Sequence, residues 1–407
     1  MKSLPALHRL KTLLVCAAGA ALVAACGGGG TDSGTGTLRL ALTDAPACGY
    51  DAVNVTVEKV RVHRSASAGE TDAGWAEIVL SPARRVNLLT LTNGALEELG
   101  QTPLPAGTYT QMRLVLARND AANPLANSVL PTGGTEVALT TPSAQQSGLK
   151  LNVNITVQPD QLADFVIDFD ACKSVVKRGN SGQYNLKPVL AVLPRLAPAG
   201  ARVVGYLAPS MAGASVSVQV AGVPQRATVP DPASGRFDLY PVPPGTYDLV
   251  ISGAGRVTAV MTGVPVVADA YAYVNASASP IDLPAGAPRT LSGSLTANAP
   301  VAPTGAGVRA LQSFTGGPTV EVAALPVDLP GAGTYALGLA SAAPVKTAWV
   351  AGATAVAFAA DPAAAGLYTI EATVEQAAPA PTLVKTAPAN VGAAVPDPLA
   401  PLAFVFP

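Results

Sequence analysis

Leu149-Lys150-Leu151-Asn152-Val153-Asn154-Ile155-Thr156-Val157 places an apolar side chain at every second position and a polar one between. Only an extended chain has a side-chain period of two, so this run predicts a β-strand with one buried face. On either side of it the same period recurs. Leu38, Leu40 and Leu42 alternate with Arg39, Ala41 and Thr43, a half-buried strand that ends in the turn Asp44-Ala45-Pro46. Val53, Val55 and Val57 form a second strand. Val60 and Val62 continue it in the opposite phase, and a bulge near Glu58-Lys59 reconciles the two. Trp75 to Leu80, Tyr109 to Leu116, Phe165 to Phe169 and Tyr184 to Leu193 read as further strands. Val86 to Leu99 is the best helical candidate, cut to a turn or two by Asn93-Gly94.

The composition agrees. The 407 residues include 39 Gly and 37 Pro, and only 13% are charged. Abundant turn residues between short Val- and Thr-rich runs predict an all-β chain. A chain of this length holds two to four ordinary domains.

The first 25 residues have a different character. Lys2, Arg9 and Lys11 precede an apolar run, Leu13 to Ala25, that is too short for a bilayer, which needs about 20 residues. This is the pattern of a secretory signal peptide. Its end, Leu22-Val23-Ala24-Ala25-Cys26, resembles the lipobox of bacterial lipoproteins. The resemblance implies that Cys26 becomes the acylated N-terminus, carrying palmitate-type chains that hold the protein to a membrane. Ordinary cleavage after Ala25, leaving a free Cys26 thiol, is the alternative. Residues 26–36 are a Gly-rich tether. Gly27 after the cysteine, by resemblance to lipoprotein sorting, implies the outer membrane of a bacterial cell envelope.

Loss of residues 1–25 removes three basic residues and no acid, leaving 22 Lys and Arg against 26 Asp and Glu, a net charge of −4. With no basic run, nucleic acid is excluded as a partner class. Besides the anchor, the exported chain keeps Cys48 and Cys172, and two cysteines in an oxidising compartment predict a disulfide. Such a long closed loop is worth about 4–5 kcal/mol before strain. Two buried free thiols are the alternative.

Five motifs in order resemble the bacterial lipoprotein domain of unknown function DUF4382. They are Leu42-Thr43-Asp44-Ala45-Pro46, Leu88-Leu89, Leu104 to Tyr109 with Arg113-Leu114, Asp168-Phe169-Asp170, and Leu186-Lys187-Pro188-Val189. The likeness covers residues 37–196 and implies an exported β-rich domain without an assigned activity. Residues 196–200 read as a linker. Within residues 201–284, Gly235-Arg236-Phe237 and Pro244-Gly245-Thr246-Tyr247 resemble the carboxypeptidase regulatory-like module, a small transthyretin-like sandwich. Residues 289–376 read as a diverged second copy, in which Gly333-Thr334-Tyr335 echoes Gly245-Thr246-Tyr247 and Gly107-Thr108-Tyr109. In each the Tyr is expected to cap the sandwich and bond nearby backbone. Residues 377–407 are Pro- and Ala-rich and predict an extended tail.

Reactive groups are few. After processing, His63 is the one histidine, which cannot build a typical zinc site and reads as a solvated strand end. No Gly-x-Ser-x-Gly elbow or phosphate-binding loop is present. Catalytic residues and cofactors are therefore expected to be none. Carboxylates remain: Asp168 and Asp170 on one strand face, about 7 Å apart, with Asp44 ending the first strand. Converging, they would bind calcium or act as paired acids; otherwise they face solvent or bond turn backbone. The expected role is a non-enzymatic binding or structural lipoprotein, with the membrane and an envelope protein or glycan as partners. The alternatives are carbohydrate binding through the sandwiches, and a hydrolase or calcium-binding protein using the Asp cluster.

Overall fold

A computed structural model describes residues 34–44, 49–141, 148–179, 181–195, 201–298, 303–329, 331, 333–377 and 380–407. The signal peptide, Cys26, most of the tether, Cys48 and the 196–200 linker lie outside the described residues. The chain is all-β, folded as three successive sandwiches.

The first contains β1 (Thr35–Asp44), β2 (Tyr50–His63), β3 (Ala76–Asn87), β4 (Glu97–Pro105), β5 (Gly107–Leu116), β6 (Ser128–Pro131), β7 (Val137–Thr140) and β8 (Leu149–Val157). It continues with β9 (Leu162–Phe169), a short helix α1 (Ala171–Ser174), β10 (Val175–Lys177), β11 (Tyr184–Leu186) and β12 (Leu190–Pro194). One sheet runs β12-β9-β1-β4, with β1 and β9 parallel. The other runs β10-β11-β7-β6-β2-β5-β8, with β3 also on β2. Leu38, Leu40 and Leu42 from one sheet meet Val53, Val55, Met112, Leu114, Leu151 and Ile155 from the other in a single core.

The predicted bulge is present: β2 shifts register between Val57 and Lys59 against both β3 and β5. The extra residue turns Val60 and Val62 back to the core side, so both phases are buried. The structure departs from the sequence expectation at four points. The tether gives way to β1 at Thr35. The second half of strand β1 is buried on both faces, because Ala41 and Thr43 on its outer side are fully buried as well. The helix over Val86 to Leu99 does not form. Strand β3 runs to Asn87, whose side chain caps one 3-10 turn, Leu88–Thr90. Asn93 and Gly94 then take φ of +55° and +73°, left-handed values that end any helix. Leu88, Leu91 and Leu99 mimic a helical stripe, yet they reach the core from a turn and a strand. Likewise Tyr184 to Leu193 is two strands, because Lys187-Pro188-Val189 carries the chain from one sheet to the other.

The second unit holds β13 (Arg202–Tyr206), β14 (Ser215–Val220), β15 (Val223–Thr228), β16 (Arg236–Leu239), β17 (Gly245–Ser252), β18 (Ala259–Val266) and β19 (Tyr271–Tyr273). The third holds β20 (Pro288–Ala297), β21 (Pro303–Ser313), β22 (Thr319–Pro326) and β23 (Thr334–Ala340). After an insertion bearing β24 (Val345–Ala348) and β25 (Ala359–Ala360), it resumes with β26 (Leu367–Gln376), β27 (Leu383–Asn390) and β28 (Leu402–Phe406). Leaving the insertion aside, both units share one topology. The sheets are β16-β13-β19 and β15-β14-β17-β18 in the second, β23-β20-β28 and β22-β21-β26-β27 in the third. In both, the first and last strands are parallel.

The likeness extends to single residues. Gly235 and Gly333 precede the fourth strand with φ of +68° and +61°. A Cβ on either would stand 2.0 and 2.2 Å from the carbonyls of Leu207 and Leu295, so both positions need glycine. Phe237 and Tyr335 follow two residues later, each lying across a glycine of the first strand, Gly205 and Gly293.

This corrects the expected alignment of the Gly-Thr-Tyr motif. Tyr335 is the counterpart of Phe237, while Tyr368, at the start of β26, is the counterpart of Tyr247 in β17. Tyr109 and Tyr247 do act alike, donating to the carbonyls of Pro105 (3.0 Å) and Pro243 (2.7 Å), four residues back. Tyr335 instead reaches the distant Leu402 carbonyl at 2.8 Å.

The third unit is also discontinuous. Its insertion leaves it, and β24 pairs in parallel with β18 of the second unit. Val345, Trp349, Val356 and Phe358 pack on the second core. Nor is 377–407 an extended tail. Strand β27 pairs with β26 and β28 with β20. Val391, Leu399, Phe404 and Phe406 are buried in the third core, an apolar supply that sparse spacing hides among Pro and Ala.

Candidate functional site at the domain junctions

Side chains with capacity for chemistry gather where the units meet. At the first junction, β15 offers Arg226 and Thr228 in its buried phase, a polar pair where an apolar one would be usual. Arg226 is 2% exposed. Its guanidinium crosses to the first unit, where it pairs with Asp168 and donates to Thr43 Oγ1 at 2.7 Å and the Asp44 carbonyl at 3.3 Å. Its Nε donates to the Tyr240 carbonyl at 3.2 Å. The left-handed Asn93-Gly94 turn supplies the other half of the contact. Asn93 N–H donates to Thr228 Oγ1 at 2.8 Å, and Asp238 N–H donates to Asn93 Oδ1 at 3.1 Å. The residues that break the expected helix are thus a docking loop.

The three sequence-nominated carboxylates lie near one another but serve different partners. Asp44 accepts from the Ala171 N–H at 2.9 Å. Asp168 takes Arg226. Asp170 is not on the strand face: β9 stops at Phe169, and Asp170 caps α1 by accepting from Lys173 N–H at 2.9 Å. Among the described residues no group of three His, Cys, Asp or Glu side chains is placed to hold a metal ion. His63 is half-buried rather than solvated. Its Nδ1 accepts from Ser65 N–H at 2.9 Å, Nε2 lies 3.0 Å from the Ala73 carbonyl, and the ring lies against Trp75. Cys172 lies in α1 and is not free; Cys48 falls outside the described residues.

The second junction joins all three units at Glu321 of β22. Its backbone and Gln219 of β14 exchange two hydrogen bonds, at 2.9 and 2.8 Å. Its carboxylate meets Lys173 of the first unit at 2.9 Å and Arg309 of its own at 3.4 Å. Arg309 also bonds Glu371 at 2.7 Å and the Gly222 carbonyl at 3.1 Å. Burial alone would lower the Lys173 and Arg309 pKa values. Glu321 and Asp170 around Lys173, and Glu371 and Glu321 around Arg309, overcome it and hold both above their ordinary values. Burial pushes the Asp170 carboxyl up, with Lys173 opposing.

Beside this cluster a cleft of about 690 Å³ opens between the first and third units. Lys173, Lys187 and Val189 form one wall; Arg309, Glu371 and Glu375 lie on the other. Its size is that of a small-ligand site. Sequence reasoning reached Asp44 and Asp168 but missed Arg226 and Glu321. The one local signal for Arg226 is a charge at a buried strand phase, while Glu321 lies between Val320 and Val322 at the phase a polar residue ordinarily takes.

Fold and junctions define the class: an all-β chain of three sandwiches joined by buried polar contacts. Residues 35–188 match the model of the domain of unknown function DUF4382. No curated protein matches the chain. Among solved structures, two type II cohesin–X–dockerin interface mutants from Acetivibrio cellulolyticus are 30% and 29% identical. Each match covers 22% of this chain, at a TM-score of 0.18, and the chain spans 60% of those relatives' length. A streptococcal ancillary pilin is 9% identical, covering 91% of this chain and 99% of its own, with a TM-score of 0.17. Among the described residues no helix is long and apolar enough to cross a membrane.

Proposed function

We propose that the protein is an exported lipoprotein, held by acyl chains on Cys26, that works at the bacterial cell envelope as a binding or structural element rather than an enzyme. The observation that carries this reading is the use of its charged groups. Arg226, Asp168, Lys173 and Glu321 are directed at one another across the junctions. Such contacts favour a body of fixed shape. The lipobox-like Leu22 to Cys26 supports the anchor, and Gly27 supports the outer membrane. Gly235-Arg236-Phe237 and Pro244 to Tyr247, in a seven-strand unit that recurs once, support carboxypeptidase regulatory-like modules.

The Cys48–Cys172 disulfide belongs to the same reading. The hydrogen bond from Ala171 to Asp44 brings residue 172 beside the end of β1. Cys48 follows Asp44 by four residues, a reach of about 13 Å when extended. Mass spectrometry of the full-length protein from membranes tests both claims. The expected spectrum contains an acylated N-terminal Cys26 peptide and, without reductant, linked Cys48 and Cys172 peptides. An unmodified Cys26, or two free thiols, contradicts the corresponding claim. Cys26→Ser is expected to abolish palmitate labelling and release the protein from membranes.

A further inference from the structure

The outer face of the sheet β16-β13-β19 is only half covered. The Asn93-Gly94 loop lies over the side of Asp238 and Tyr240, and Tyr240 is 3% exposed. On the same sheet Tyr271 and Tyr273 are 40% and 54% exposed. They are two residues apart on edge strand β19, with Ala272 between them buried in the core, so both rings stand on the outer face. Their ring centroids are 5.6 Å apart with planes 19° from parallel.

Two further groups are fixed around this strand. Arg202 stacks 3.8 Å over Tyr240 and lies 6.0 Å from the Tyr271 ring. Trp349 arrives from the inserted segment after β24. Its backbone N–H bonds Thr262 at 2.9 Å, and its indole N–H bonds the Tyr273 carbonyl at 3.1 Å. Asp269, exposed, stands two residues before Tyr271. Two aromatic rings are thus stacked on the outer face before any ligand arrives, and the Trp349 indole braces the backbone of the strand that carries them.

We infer that this edge is a binding platform for an oligosaccharide. A pyranose ring has an apolar C–H face that stacks on an aromatic ring, and a rim of hydroxyls for phenol, carboxylate and guanidinium groups. Tyrosine and tryptophan supply that mixed surface at low conformational cost. Area decides against a protein partner. The exposed parts of the two tyrosines offer on the order of 200 Å², while a stable protein interface needs about 800 Å² per partner. The site gives a ligand class to the binding role proposed above and is independent of the anchor.

Isothermal titration of the full chain carrying Cys26→Ser with maltohexaose, cellohexaose and chitohexaose tests it. At least one hexasaccharide is expected to bind. Tyr271→Ala and Tyr273→Ala are expected to weaken that binding about tenfold or more, with unchanged melting temperature, while Tyr273→Phe retains it. Binding of none of the three, or equal binding by the alanine variants, overturns the inference. So does self-association that Tyr273→Ala abolishes, since the rings would then cover a second copy. Failure here leaves the anchored, structural reading standing; an unacylated Cys26 would leave the platform standing.

Discussion

Arg226→Ala is expected to destabilise the protein by about 3–5 kcal/mol, the range for removing one partner of a buried ion pair. The guanidinium side chain is 1% exposed and its Asp168 partner 12%. Truncation leaves the carboxylate without its cation, and it strips the Tyr240 carbonyl and Thr43 hydroxyl of their donor. The cost of such orphaned groups exceeds the net worth of the pair itself. Arg226→Met combined with Asp168→Leu removes both charges together and is therefore expected to lose much less. Urea unfolding followed by the two tryptophans, Trp75 in the first unit and Trp349 on the second, reads each side of the junction. A loss below about 1 kcal/mol, in the range of an exposed pair, would show that the junction does not hold the units together.

A chain ended after Pro398 is expected to lose the third sandwich. It lacks β28, which lies parallel to β20 and contributes Phe404 and Phe406, 4% and 1% exposed. The Tyr335 hydroxyl also loses its acceptor on Leu402. Phe406→Ala alone is expected to cost about 3–5 kcal/mol through the cavity it leaves. Proteolysis should then cut the third unit while sparing the first. A dispensable, extended tail makes the opposite forecast: truncation without effect on stability or protease resistance.

Local periodicity made much of the fold legible. Leu149 to Val157 is β8, and the phase reversal between Val57 and Val60 marks a real bulge. Long-range features were not legible, for a physical reason. Strands such as Leu383-Val384-Lys385-Thr386-Ala387-Pro388-Ala389-Asn390 carry small or polar residues, because much of the strand faces solvent. The Gly-Thr-Tyr motif repeats as one signature, yet Tyr335 and Tyr247 occupy different strands of equivalent sandwiches. Trp349, assigned to the third unit by position, is delivered to the second by an insertion. Arg226 and Glu321 could not be paired from sequence, since contacts between units leave no periodic trace in either. Asp168 stands out in the sequence for its chemistry, and in the structure it holds a neighbouring domain.

The three sandwiches are expected to form one body. Spin labels at exposed Glu70→Cys in the first unit and Thr386→Cys in the third, in a Cys26→Ser chain, measure that directly by electron–electron double resonance. A single narrow distance distribution is predicted, broadening when Arg226→Ala and Glu321→Ala are introduced together. A broad distribution in the otherwise unaltered chain would contradict it.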